Sequence, residues 1–341
     1  MRIGSIVKVV EKLIKGRKPV LLVGAPGVGK TDVVVQVAKK LGYQLIVMHP
    51  VVCDPTDLKG LPYHVEGSDK ADFLPYGDLY AMLHATEPTI VFLDDLGQAP
   101  PSVQAAAMQL LLARKINGHK ISDFVTFVAA TNRREDRAGV TTILEPVKSR
   151  FATIIHVEPK IEDWVNWALS ENLPLEVIAF ARFRPNMIEG PWAPSMDIIN
   201  TASPRTVAQA AGIFADCEGL DNAELHETLA GSAGAGFAAE FMGFLKVWKQ
   251  LPDIQKILKG DTSAPVPTDP AARYAVCTAL VGHADDKTAG AIVNYANRME
   301  ADGGAEFSVM LITDCSKKSD SFKKTRAYVS WAASHSHLMI G

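Results

Sequence analysis

Along residues 1–157, short unbroken apolar runs alternate with stretches whose apolar positions recur every three or four residues. The runs fall at residues 20–23, 45–48, 90–93, 124–129 and 154–157. Such runs are the mark of parallel strands covered on both faces. Helical patterns between them predict an α/β domain built on a parallel sheet. At the start, Ile3, Ile6, Val7, Val10, Leu13 and Ile14 stand at helical spacing with lysines between them. This predicts an amphipathic helix, not the continuous apolar core of a signal peptide. From about 158 to 250 the pattern is helical throughout and offers no convincing strand. Residues 259–270 hold three prolines among small polar residues, a loop or linker. Residues 271–281 and 288–300 read as helices, while 307–312 fit a strand or a helix equally well. The expected organisation is a nucleotide-binding core at 1–157, a helical domain at 158–258, and a linker with a mostly helical extension at 259–341.

The 341-residue length suits about two domains. Hydrophobic residues at 48% and charged residues at 21% exclude global disorder and fibrous structure. The formal net charge of −3 excludes a protein that coats nucleic acid through bulk charge and leaves only a local patch. The four cysteines, Cys53, Cys217, Cys277 and Cys315, form no CxxC pair, so neither a zinc site nor a disulfide framework is expected. No apolar run approaches the roughly 20 residues of a membrane span. A cytoplasmic protein without membrane partners is the expectation.

Residues 24–31 read Gly24-Ala25-Pro26-Gly27-Val28-Gly29-Lys30-Thr31, a phosphate-binding loop between a predicted strand and a predicted helix. Glycines at 24, 27 and 29 let backbone N–H groups curl around phosphate oxygens, and the helix N-terminus favours an anion. Lys30 can reach the β- and γ-phosphates of ATP, and the Thr31 hydroxyl can ligate Mg²⁺. The strand at 90–93 ends in two carboxylates. Asp94 suits a Mg²⁺ ligand acting partly through water, and Asp95 is placed to orient or deprotonate an attacking water. Asn132 ends the strand that begins near 124, where an amide can hold that water. The Val33-Val34-Val35 run is poor for a helix on propensity alone, but the loop demands one there.

These stretches, with DPTDLKGLP at 54–62, DDLGQAPPSVQAAAMQLL at 94–111, ATNRRED at 130–136, EPVKSRF at 145–151 and ASPRTV at 202–207, resemble AAA+ ATPases of the MoxR-like branch. The resemblance covers about residues 18–215. It implies an αβα P-loop core with strand order 5-1-4-3-2, a helical lid, and a hexameric ring. It also implies roles. Arg150 is similar to the arginine finger that reaches a neighbour's ATP, and Arg205 to the second sensor on the lid. Arginine suits both because its planar fork spreads charge over phosphate oxygens. Each has a plainer alternative: a surface ion pair for Arg150, a lid-to-core tie for Arg205. Arg133, Arg134 and Arg137 are rival fingers or interface residues. Relatives act as chaperone-like remodelling ATPases on protein partners, commonly proteins with von Willebrand factor A domains.

Asp95 stands where MoxR-like proteins usually carry glutamate. The shorter side chain predicts slow hydrolysis, since a 1 Å misplacement costs about 10²-fold. It also favours a second reading, a nucleotide-gated binding switch with negligible turnover. A third, a DNA-dependent motor or loader, draws on the Asn-Gly hairpin signal at 114–121 and the basic run at 317–326; nucleic acid is not favoured. In the hairpin, Arg114, Lys115, His119 and Lys120 are either partner contacts or a solvated face. Residues 50–75 read as an irregular insert. Gly231, Gly234 and Gly236 suggest close helix packing or a loop. Trp164, Trp167, Phe180 and Phe183 are expected in the core of the helical domain. His335 and His337 are too few to make a metal site.

Overall fold

The computed structural model describes residues 1–136, 143–191 and 197–336. The chain divides into two units, one ending at Lys160 and one beginning at Ile161.

The first unit contains α1 (Ile3–Lys15), β1 (Val20–Val23), α2 (Lys30–Leu41), β2 (Gln44–Met48), α3 (Pro55–Lys59), β3 (Leu61–His64), β4 (Ala71–Leu74), α4 (Gly77–His84), β5 (Thr89–Leu93), α5 (Pro101–Ala113), β6 (Lys115–Ile116), β7 (His119–Lys120), β8 (Val125–Thr131), α6 (Glu145–Lys148) and β9 (Thr153–His156). Five strands form one sheet in the order β2-β5-β8-β1-β9, every neighbouring pair parallel. Counted along the chain, that is the expected order 5-1-4-3-2. The alternation of strand side chains divides the core in two. Val20, Leu22, Ile90, Phe92 and Val128 meet Ile6, Val10 and Ile14 of α1 and Val33, Val34 and Val37 of α2. Leu21, Val91, Leu93 and Phe127 meet Leu79 and Met82 of α4 and Val103 and Leu110 of α5. Burial of Val33 and Val34 against the sheet is what overrides their weak helix propensity. Gly42 ends α2 in the left-handed region at φ 66°, the usual glycine stop.

Two insertions leave this frame. Residues 50–75, which read as irregular in the sequence, hold α3 and the antiparallel pair β3–β4. Gly67 turns the hairpin at φ +75°. All residues of the two strands but Phe73 are exposed, so no burial pattern announces them. Residues 114–121 do form the hairpin that Asn-Gly predicts, with Asn117 and Gly118 at φ 45° and 86°. Both being positive is the geometry of a type I′ turn. The two insertions are joined: Asn117 Nδ2 donates to Lys59 O at 2.8 Å, and His119 Nε2 lies 3.1 Å from Phe73 O.

The second unit contains α7 (Ile161–Ser170), α8 (Leu175–Phe183), α9 (Asn186–Glu189), α10 (Pro204–Asp216), α11 (Asn222–Ala233), α12 (Ala235–Trp248), α13 (Ile254–Leu258), α14 (Pro270–Gly282), α15 (Ala289–Ala301), α16 (Ala305–Lys318), α17 (Asp320–Lys323) and α18 (Arg326–Ser334). Its described residues include no strand. Residues 307–312 belong to α16, where Phe307, Leu311 and Ile312 are buried at helical spacing. Trp164, Phe180, Phe237 and Phe241 share one core with Leu280, Tyr295, Leu311 and Trp331, and Trp167 and Phe183 pack against it. The proline-rich loop is pinned to that core. Tyr295 Oη donates to Pro265 O at 2.8 Å, and Arg273 Nε to Pro267 O at 2.7 Å. Gly234 links α11 to α12 at φ +95°. A Cβ at Gly231 or Gly236 would meet no neighbour, so neither serves close helix packing.

Candidate nucleotide site

The loop at 24–29 runs from the end of β1 into α2. Gly29 is the N-cap of α2 at φ 91°, and Gly27 stands at φ 74°, so both occupy conformations that favour glycine. Gly24 does not. A Cβ there would lie 2.9 Å from Val157 O, so packing against the end of β9 requires this glycine. Val28 and Ala25 are buried in the α1–α2 core and hold the loop to the sheet.

Lys30 is only 7% exposed. Its Nζ donates to Gly24 O at 2.9 Å, Ala25 O at 3.0 Å and Asn132 Oδ1 at 2.7 Å. Thr31 Oγ1 donates to Asp94 Oδ2 at 2.9 Å. Asp95 N–H donates to Asp94 Oδ1 at 3.0 Å, and Asn132 Nδ2 donates to Asp95 Oδ1 at 3.2 Å. The sheet explains the convergence. The segment containing Asp94 and Asp95 follows β5, and Asn132 follows β8, at the same edge from which the loop leaves β1. β1 is bound to β8, and β8 to β5. Gly24 N–H also donates to Thr131 O at 3.3 Å.

Asp95 is in the left-handed region at φ 53°, ψ 35° and opens the short turn Leu96–Gln98. Gly97 in that turn lies against β8, where a Cβ would overlap the Thr131 hydroxyl. Neither Gly97 nor the buried Gln104 on α5 stands out as a site residue in the sequence. The available signal was their place beside the paired carboxylates and, for Gln104, a polar residue on the apolar face of a helix.

The donor set suits both groups that the sequence implies. A hydroxyl and a carboxylate side by side, Thr31 and Asp94, offer the hard oxygens a Mg²⁺ ion takes. A glycine loop opening a helix offers N–H groups to an anion.

Arg150 follows α6. Its side chain is half-exposed, and its buried Nε has no hydrogen-bond partner. Arg205 lies in the second unit, exposed in the first turn of α10. A capping box of Ser203 and Thr206, with Pro204 at the first helical position, starts that helix. Arg133 is committed locally, to Asp136 at 2.7 Å and Glu135 at 3.1 Å, while Arg134 is exposed. Arg137 and His337 lie outside the described residues. Arg114 is a structural residue: its Nη2 donates to Ser122 O at 2.7 Å and Val125 O at 3.0 Å. Lys115 and Lys120 are exposed. His335 stacks on Trp331 and meets Glu300 at 3.0 Å. Among the described residues no cluster of three or more His, Cys, Asp or Glu could hold a metal. Within the same limit, no helix is long and apolar enough to cross a membrane.

Strand order, phosphate loop and carboxylate pair together make this a P-loop AAA+ fold followed by a mostly helical region. Residues 19–151 match the AAA domain of the dynein-related subfamily. Among solved structures the chain is similar to the RuvB Holliday junction branch migration motor of Thermotoga maritima. The two are 16% identical, with 82% of this chain and 80% of that chain covered, at a TM-score of 0.39. It is also similar to NtrX from Brucella abortus in complex with ADP, at 13% identity, 98% and 67% coverage, and a TM-score of 0.42. At these scores neither likeness carries a functional argument. No curated protein matches the sequence significantly.

Proposed function

We propose that this chain is an ATP-hydrolysing, ring-forming AAA+ protein of MoxR-like type that remodels a protein partner. The observation that carries the reading is the hydrogen-bonded circuit Lys30–Asn132–Asp95–Asp94–Thr31. It ties the loop lysine to both carboxylates and to the hydroxyl that precedes them on α2. In this reading Lys30 binds the β- and γ-phosphates, exchanging its loop carbonyls for phosphate oxygens. Thr31 and Asp94 hold Mg²⁺, which supplies charge neutralisation on the phosphates when bound. Asp95 orients the attacking water and accepts its proton, and Asn132 fixes the rotamer of Asp95 and one side of that water. Arg205 acts as the lid's sensor.

Arg150 has the attributes of a residue that acts on a neighbour. It is half-exposed and has no ion pair among the described residues. Supplied in trans, an arginine of this kind contributes about 10³–10⁵ in rate. The hairpins at 61–74 and 115–120 supply the client-facing surface. They meet where His119 Nε2 lies 3.1 Å from Phe73 O and leave Leu61, Tyr63 and Leu74 exposed. A client bearing a von Willebrand factor A domain is the expected partner, a hexamer the expected assembly, and the cytoplasm the expected setting.

Turnover per subunit, measured with Mg²⁺ against protein concentration, tests this. Specific activity should rise with concentration and fall at least about 10³-fold in Arg150→Ala. Flat specific activity with an unaffected Arg150→Ala protein overturns it. The second reading, a nucleotide-gated switch, is favoured by the short Asp95 side chain. It requires that ATP bind through Lys30 with no measurable turnover, and that Asp95→Glu raise turnover about a hundredfold. The DNA-dependent reading draws on the exposed residues Lys317, Lys318, Lys323, Lys324 and Arg326, three of which make local bonds. Lys317 and Lys318 bind Asn166 and Asn172, and Lys323 pairs with Asp320.

A further inference from the structure

Gln104 lies in the first turn of α5 and is fully buried, beside Val103, Ala106 and Ala107. Its Nε2 donates to Ala99 O at 3.0 Å, and its Oε1 accepts from Leu144 N–H at 3.0 Å. Ala99 closes the turn that Asp95 opens: Gln98 N–H donates to Asp95 O at 2.9 Å and Ala99 N–H to Leu96 O at 3.2 Å. Leu144 opens the turn that ends on Arg150. Its carbonyl accepts from Val147 N–H at 2.8 Å, and Arg150 N–H returns to Val147 O at 3.1 Å. One side-chain amide therefore joins the turn carrying Asp95 to the turn carrying Arg150. Burying an amide is unfavourable unless it is bonded, and methionine would fill the same space. What the amide adds is a fixed separation between two backbone groups.

We propose that Gln104 is a positioning residue that couples the nucleotide site of one subunit to the arginine this subunit presents to the next. The turn at Asp95 and the reach of Arg150 are then set together, so the nucleotide state of a subunit governs how it serves its neighbour. The proposal rests on Arg150 acting in trans.

Mixed assemblies test it. Arg150→Ala subunits keep a nucleotide site but supply no arginine. Asp95→Asn subunits supply Arg150 but turn over no ATP. Mixing the two should restore hydrolysis at the interfaces where the second serves the first. Donors that also carry Gln104→Met should restore about tenfold less per incorporated subunit. Leu144→Pro is the second variant. Leu144 has φ −58°, the value proline imposes, so the change deletes the N–H that Gln104 accepts. It should show the same deficit. Incorporation is read from a tag on the donor, and the melting temperature of each donor is measured alongside. Full rescue per incorporated subunit by either doubly substituted donor overturns the coupling, even where melting is lowered, because the amide is then merely structural. No rescue by the plain Asp95→Asn donor overturns instead the trans role of Arg150.

Discussion

Asp95 holds a left-handed backbone conformation, a strain of about 1–3 kcal/mol for a residue with a side chain. Its surroundings impose it. Gln98 binds its carbonyl, Asp94 accepts from its N–H, and Asn132 donates to its carboxylate. Gly97 makes this arrangement possible by letting the turn lie against Thr131. Gly97→Ala should therefore displace the Asp95 carboxylate and lower turnover about 10²-fold, with nucleotide affinity retained because Lys30 and the loop are untouched. Turnover measured beside a fluorescent-nucleotide titration checks this, and Thr131→Ala in the same chain should recover part of the loss. Full turnover in Gly97→Ala would remove the packing argument. Lys30, Thr31, Asp94 and Asp95 could be picked out in the sequence because each sits at a fixed offset in a motif. Gly97 could not, because the atom it avoids is contributed by another strand.

At the level of elements, α1 is held to α2 by apolar burial and by one charge cluster. Glu11 pairs with Lys15 at 2.8 Å and with Lys40 of α2 at 2.7 Å. Hydrogen bonds from these two lysines pull the Glu11 carboxyl down to about 2 from its ordinary 4.5. A carboxylate whose pKa is depressed by folding stabilises the native state above its unfolded pKa and loses that contribution as pH falls through the folded value. The contribution is thus complete above about pH 4.5 and is lost between there and about pH 2. Glu11→Gln should narrow the gap in urea midpoint between pH 7 and pH 3. The change should shrink in high salt, because both lysines are half-exposed and such pairs are screened. An unchanged pH dependence would show that the pairs contribute nothing. The two hairpins mark how legible elements were. Asn-Gly dictates a turn locally, so the hairpin at 115–120 could be read directly. The exposed pair β3–β4 carries no buried alternation.

On the scale of the whole molecule, the described chain has one mixed α/β unit and one helical unit whose core draws on residues from both sides of the proline-rich loop. That core holds two of the four cysteines. Burial pushes the Cys277 thiol up to about 12 and the Cys315 thiol well above its ordinary value. A thiol attacks as its thiolate, so both should be inert in the native protein. A disulfide reagent at pH 8 should label Cys53 and Cys217, which are partly exposed, and reach Cys277 and Cys315 only on unfolding. Rapid native labelling of Cys277 would mean that the α14–α16 core opens readily.

Periodicity and motif offsets were enough to place the parallel sheet, the helical second half, the glycine loop before α2 and the two carboxylates after β5. All of these depend on neighbours within a few positions along the chain. Resemblance supplied the strand order, which local patterns do not contain. Only the tertiary structure decided that Gly24 packs against Val157, that Gly97 packs against Thr131, and that Gln104 bridges Ala99 to Leu144. Those facts depend on which distant backbone comes to lie beside a side chain, and that is set when the sheet closes and α5 packs on it.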